Sequence, residues 1–154
     1  MVSPDAADVQ RAFTGGSGAG PLVAHHGIGP AQVRSIEWAC KRARDDCGFD
    51  FVVWISSDTS RPVRARAEDR HATLKNRDRT VLVHVDPARR QVEIVTGTEV
   101  TRTLTDSECR LAAVSIAASA ANGDLSAGLV TGITQMGEAA RGQVSRHLRP
   151  TADR

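Results

Sequence analysis

Tyrosine is missing from this 154-residue chain, and the only aromatic side chains are Phe13, Phe49, Phe51, Trp38 and Trp54. That scarcity argues against a stacking platform for single-stranded nucleic acid, which needs aromatic faces in series. A dominant charge is missing as well. Twenty Lys and Arg against eighteen Asp and Glu leave a net charge of +2, too little for a global pull on a polyanion. Long apolar runs are also absent. No N-terminal stretch has the hydrophobic block of a signal peptide, and nothing approaches the roughly 20 residues of a membrane span. A cytoplasmic location is the expectation.

Cysteine is sparse. Cys40 and Cys47 fall on one helical face and Cys109 near a helix start. They read as small buried side chains in a reducing compartment, since zinc would want closer pairs with histidine nearby. Nucleotide and nucleophile motifs fail in context. Gly15-Gly16-Ser17-Gly18-Ala19-Gly20 follows no expected strand and runs into Pro21, so it is a flexible arm and not a phosphate loop. His25-His26 reads as a solvated pair. No Gly-x-Ser-x-Gly elbow occurs.

What the chain does have is a hairpin between Thr80 and Thr96. Val81, Val83 and Val85 alternate with Leu82 and His84, so both strand faces are largely apolar, as in a strand covered on two sides. Asp86-Pro87 breaks the run, Gln91 to Thr96 resumes it, and Gly97 ends it. Upstream, Pro30 opens a helix whose stripe is Val33, Ile36, Cys40, Ala43 and Cys47, stopped by Gly48; Trp38 falls off that stripe. Phe49 to Ile55 is a central strand. A second helix is expected from about Arg61 to Asn76, with Ser60 as cap, Pro62 in its first turn, and Val63, Ala67 and Leu74 inward beside a boundary His71. Downstream, Thr105 and Glu108 form a capping box before a helix from Asp106 to Ala121 that is apolar almost all round and belongs in the interior. Asn122-Gly123 stops it. Asp124 caps a last helix whose four glycines, Gly128, Gly132, Gly137 and Gly142, imply close approach to a neighbour or local fraying.

These elements predict an α/β fold: a mixed β-sheet, with one parallel crossover and one antiparallel hairpin, sandwiched by about four helices. The organisation is a flexible N-terminal arm over 1–27, one domain over 28–148 and a loose tail over 149–154. The topology sorts the acids. Asp78, before the second long strand, and Asp106, after the third, come to one rim of the sheet with Asp50 nearby. Asp58, Asp86 and Asp124 come to the opposite rim, at strand C-termini where a ligand can bind, although turn and cap roles account for all three. The second helix carries a basic face. Arg64 and Arg70 there can contact phosphates, but a solvated, ion-paired helix is the preferred reading.

The order of helix, strand, helix and hairpin, followed by Leu104-Thr105-Asp106, Gly123-Asp124 and Gly128-Leu129, resembles the TPM domain family, in particular a soluble actinobacterial branch of unknown function. The resemblance covers about residues 30 to 145. It implies Asp78 and Asp106 as ligands of a hard divalent cation, Ca²⁺ or Mg²⁺, and, by analogy with a plant branch, phosphatase activity. One departure is Asp78-Arg79-Thr80 where relatives show Asp-Asn-Gly; Arg79 is placed to pair with the acids. The first functional reading is therefore a non-catalytic binding or assembly module with an unidentified protein partner. The alternative is a divalent-metal-dependent phosphatase acting at Asp78 and Asp106. A nucleic-acid accessory role for the second helix ranks third.

Overall fold

The computed structural model describes residues 11–14, 28–57 and 60–148. The Gly15–Gly20 stretch, His25-His26, Asp58 and the tail from 149 lie outside the described residues. In chain order the elements are β1 (Arg11–Thr14), α1 (Pro30–Cys47), β2 (Asp50–Ile55), α2 (Val63–Ala72), β3 (Thr80–Asp86), β4 (Gln91–Thr96), α3 (Asp106–Ala121) and α4 (Leu125–Leu148). Single 3₁₀ turns occupy Arg77–Arg79 and Val100–Arg102.

The strands lie in the order β1-β2-β3-β4. β2 and β3 run parallel, from Asp50 opposite Thr80 to Ile55 opposite Val85. β4 returns antiparallel, from Asp86 opposite Gln91 to Val81 opposite Thr96. The expected crossover and hairpin are both present. β1, inside the segment expected to be an arm, adds a short antiparallel strand on the far side of β2.

Alternation along the strands makes two unequal cores. Phe51, Val53, Val81, Val83 and Ile94 face α1, α3 and α4 in a large apolar layer. Val52, Trp54, Leu82 and Val95 face α2 in a smaller one. α1 ends at Gly48, whose φ of 82° is the left-handed conformation that only glycine adopts without strain. The Thr105–Glu108 capping box forms as expected: the Glu108 amide donates to Thr105 Oγ1 at 3.2 Å and the Thr105 amide to Glu108 Oε1 at 2.9 Å.

Two expectations change. α2 is shorter than Arg61 to Asn76, because Pro62 is extended (ψ 144°) and stands at the N-cap, leaving Ser60 too far upstream to cap. At its other end the Thr73 hydroxyl donates to the Arg70 carbonyl at 2.7 Å and closes the turn. α3 is not wholly interior: Leu111 and Val114 are 71% and 63% exposed. Three of the four glycines of α4 make the expected close approach, and Gly142 stands in open space. A methyl group at Gly132 would meet the Ile116 side chain of α3 at 2.8 Å, and one at Gly137 would meet Ala43 of α1 at 2.9 Å.

Beneath α2 lies a polar layer. Arg66 is buried and its Nη1 donates to Asp86 Oδ2 at 2.9 Å, while Nη2 donates to Ser56 Oγ at 2.8 Å. His71 is buried too, with Nε2 at 3.0 Å from the Thr80 carbonyl. His84, fully buried, stacks on Trp54 with ring centroids 4.2 Å apart. Both of its ring nitrogens, like Trp54 Nε1, lack a hydrogen-bond partner. Arg66 and Arg70 lie over the Trp54 ring at 5.7 and 5.3 Å, so cationic groups line the ring face.

Burial first, and the Arg66 guanidinium second, hold His84 down at about 4 from an ordinary 6.5, against an opposing pull from Asp86. As pH falls below 6.5 the unfolded chain takes up a proton that the folded chain refuses, so stability drops until about pH 4 and is level below it. Between pH 7 and pH 5 this group is expected to cost about 2 kcal/mol. Urea melts at the two pH values should show the loss in the wild type, and a smaller one in His84→Phe, which keeps a ring against Trp54 but cannot titrate.

Gly97 gives a second test. A methyl group there would run into the Arg77 carbonyl and the Asp78 backbone. Gly97→Ala is expected to destabilise by roughly 1–3 kcal/mol. Gly142→Ala, with open space around the position, should stabilise α4 by roughly 0.5–1 kcal/mol. Equal effects in the two variants would refute the close approach.

Candidate functional site

Among the described residues β4 ends the sheet, so one side of its backbone has no neighbouring strand. Which groups face outward follows from the ladder. Gly97, opposite Thr80, donates to its carbonyl at 3.0 Å. In an antiparallel pair such bonded positions alternate, so Val95, Glu93 and Gln91 bond to β3 while Val92, Ile94 and Thr96 point their amides and carbonyls away. Arg64 bears this out, since its Nη1 donates to the Ile94 carbonyl at 2.9 Å from outside the sheet. Among the described residues, the outward groups of Val92 and Thr96 have no partner.

A groove of about 470 Å³ runs along this edge between Arg64 on α2 and the side of α3 that carries Asp106, Cys109, Arg110, Ala113, Val114 and Ala117. One thiol, Cys109, lines it. Burial, reinforced by Asp106, pushes the Cys109 thiol up to about 11. Burial likewise pushes Cys40 up to about 12 and raises Cys47. None of the three is a thiolate at neutral pH.

The candidate residues fall out as follows. Asp78 is exposed in the turn before β3, and its carbonyl accepts the Glu99 amide at 2.9 Å. Asp106, exposed, is the first residue of α3 and lines the groove, which Asp78 does not. Both stand at the Gly97 end of the sheet. Asp50 is at that end too, engaged by Asn76 Nδ2 at 2.9 Å and Arg44 at 3.2 Å. Arg79 pairs with Glu99 at 3.2 Å and lies over Phe49 at 5.0 Å, so it does not pair with Asp78 or Asp106 as expected. Among the described residues no three His, Cys, Asp or Glu side chains group as a metal site.

At the other rim Asp86 is fully buried in its pair with Arg66 and also accepts the Arg89 amide at 3.1 Å. Asp124 is exposed and caps α4 through the Ala127 amide at 3.3 Å. On the basic face, Arg64 is held by Glu68 at 3.1 Å and by Ile94, and Arg70 by Trp54. Sequence reasoning missed Arg66, although its place three residues after Val63 on the inward stripe was a signal. It also missed the groove, because no local pattern tells which side of a strand a following helix will leave uncovered.

No helix among the described residues is long and apolar enough to cross a membrane. No curated protein matches the chain. Solved structures do. The BA42 protein of the psychrophilic bacterium Bizionia argentinensis, determined by NMR, aligns with a TM-score of 0.68 at 20% identity, over 75% of this chain and 83% of that one. The N-terminal domain of the cg2496 protein of Corynebacterium glutamicum, also an NMR structure, aligns with a TM-score of 0.63 at 15% identity, over 73% and 74%. These similarities show a shared fold. The resemblance to TPM domains is corrected by the family comparison, which matches a different family. Residues 15–137 match the model described as Domain of unknown function (DUF5130), and the chain belongs to that family.

Proposed function

We propose that the protein is a non-catalytic binding or assembly module whose docking surface is the open edge of β4 with the adjoining face of α3. The observation that carries this reading is the set of outward backbone groups at Val92, Ile94 and Thr96 along a groove. An extended segment laid there gains main-chain hydrogen bonds from the edge and side-chain contacts from α3, which is how strand addition combines affinity with specificity. The exposed Leu111 and Val114 extend the apolar part of that surface. Soluble proteins usually blunt a bare edge. Here Arg64 blunts one carbonyl of it.

The phosphatase alternative, with Ca²⁺ or Mg²⁺ held by Asp78 and Asp106, has no comparable observation behind it. Only one of the two acids reaches the groove. Turnover of a simple phosphate ester with either cation, lost in Asp106→Asn, would nonetheless replace the docking reading.

Peptide display panned against the protein tests the docking surface. Enriched sequences are expected to be extended and rich in β-branched residues. Nitrogen-15 chemical-shift mapping should place them on Val92, Ile94, Thr96, Val114 and Ala117. Binding should weaken at least roughly tenfold in Thr96→Pro, which removes an outward amide without touching the β3 ladder. Binders that perturb another face and ignore Thr96→Pro would refute the surface.

A further inference from the structure

We propose that the occupant of the β4 edge is a second copy of this chain, joined about a two-fold axis through α3 and β4. The inference rests on the docking surface just described and names its partner. α3 exposes Leu111, Val114, Ala118 and Ala121. Their three-four-three spacing puts them on one stripe of the helix, and Val114 also lines the β4 groove, so stripe and edge are continuous.

The order of sizes along the stripe selects the partner. Laid antiparallel against itself, with the axis level with Ile116, α3 sets Leu111 against Ala121 of the copy and Val114 against Ala118 of the copy. Each layer then holds one large and one small side chain, which closes the contact without voids. A parallel arrangement would set Leu111 against Leu111 and Ala121 against Ala121, crowding one end and emptying the other. Antiparallel is the arrangement that a two-fold axis perpendicular to the helix generates, and a two-fold interface must be complementary to itself.

Charge and backbone agree with this register. Arg110 is exposed and no carboxylate pairs with it among the described residues. The antiparallel register brings it to Asn122 and Asp124 of the copy, where the Asp124 cap bond to Ala127 uses Oδ1 and leaves the other oxygen. On β4 the outward residues Val92, Ile94 and Thr96 are symmetric about Ile94. A copy turned about Ile94 therefore sets Val92 against Thr96 and Ile94 against Ile94, every outward amide meeting an outward carbonyl. Arg64 gives up the Ile94 carbonyl and keeps Glu93, already 3.9 Å away. Two four-stranded sheets become one.

Sedimentation equilibrium of the full chain, from low micromolar to near-millimolar concentration, decides the matter. The expected mass rises from 16.4 kDa toward twice that value. Val114→Lys, at an exposed position that leaves the monomer's core intact, should weaken association at least roughly tenfold, and Thr96→Pro should do the same from the strand side. Oxidation of a mixture of Val114→Cys and Ala118→Cys chains should give a cross-linked dimer faster than either chain alone. A chain that stays monomeric throughout, or a dimer that neither variant weakens, overturns the proposal. A monomer whose panned peptides still map to β4 and lose affinity in Thr96→Pro would sink the second copy and keep the docking surface. Peptides that map elsewhere would sink both.

Discussion

All seven residues of β3 are buried, and that enclosure is the constraint the rest of the structure answers to. β2 bonds one side, β4 the other, α2 covers one face and the α1–α3–α4 layer the opposite one. A strand so enclosed has no water to turn to, so each polar group on it must find a local solution. Thr80 donates from Oγ1 to the Asn76 carbonyl at 2.6 Å. Asp86 takes Arg66 and the Arg89 amide. His84 stays neutral and stacked on Trp54. These solutions come mostly from one side, which is why a helix of ten residues with few apolar contacts can hold its place. Removing one member of a buried ion pair such as Arg66–Asp86 costs far more than the pair itself contributes.

The two layers therefore differ in kind. On the large face, glycines bring α4 close to α3 and α1, and the contacts are almost all apolar. On the small face, α2 is tied down by charge and π contacts. The chain leaves β4 at Gly97, pressed against the Arg77–Arg79 turn, and passes into α3 instead of a further strand. That exit leaves the outer side of β4 without a neighbouring strand among the described residues and puts an apolar helix beside it.

Much of the fold was legible because it is written locally. Alternating valines, the Gly48 stop, the Thr105–Glu108 box and the Pro87 break each act within a few residues, and each is present. The site was not. Arg66 was passed over, though its spacing from Val63 placed it inward. Asp86 was read as a turn acid at a rim; it does take the Arg89 amide, but it is also fully buried against Arg66. α3 was read as interior because it is apolar nearly all round, but apolarity does not reveal whether a cover exists. The TPM resemblance failed for a related reason. Thr105 caps α3, Gly123 takes a left-handed φ of 82°, and Gly128 abuts Ser119. Such residues report a fold's local needs, which different families can share.

The ladder also has a tempo. β3 and β4 are joined by a four-residue link, Pro87 to Arg90, and can zip within microseconds. β2 meets β3 only after the α2 crossover, with Asp50 opposite Thr80 thirty residues along the chain. β1 must span α1 to reach Ile55 from Arg11, and it contributes only four rungs. Longer loops close later and short ladders open first. The sheet is thus kinetically graded, with a durable hairpin at one flank and a late, easily peeled strand at the other.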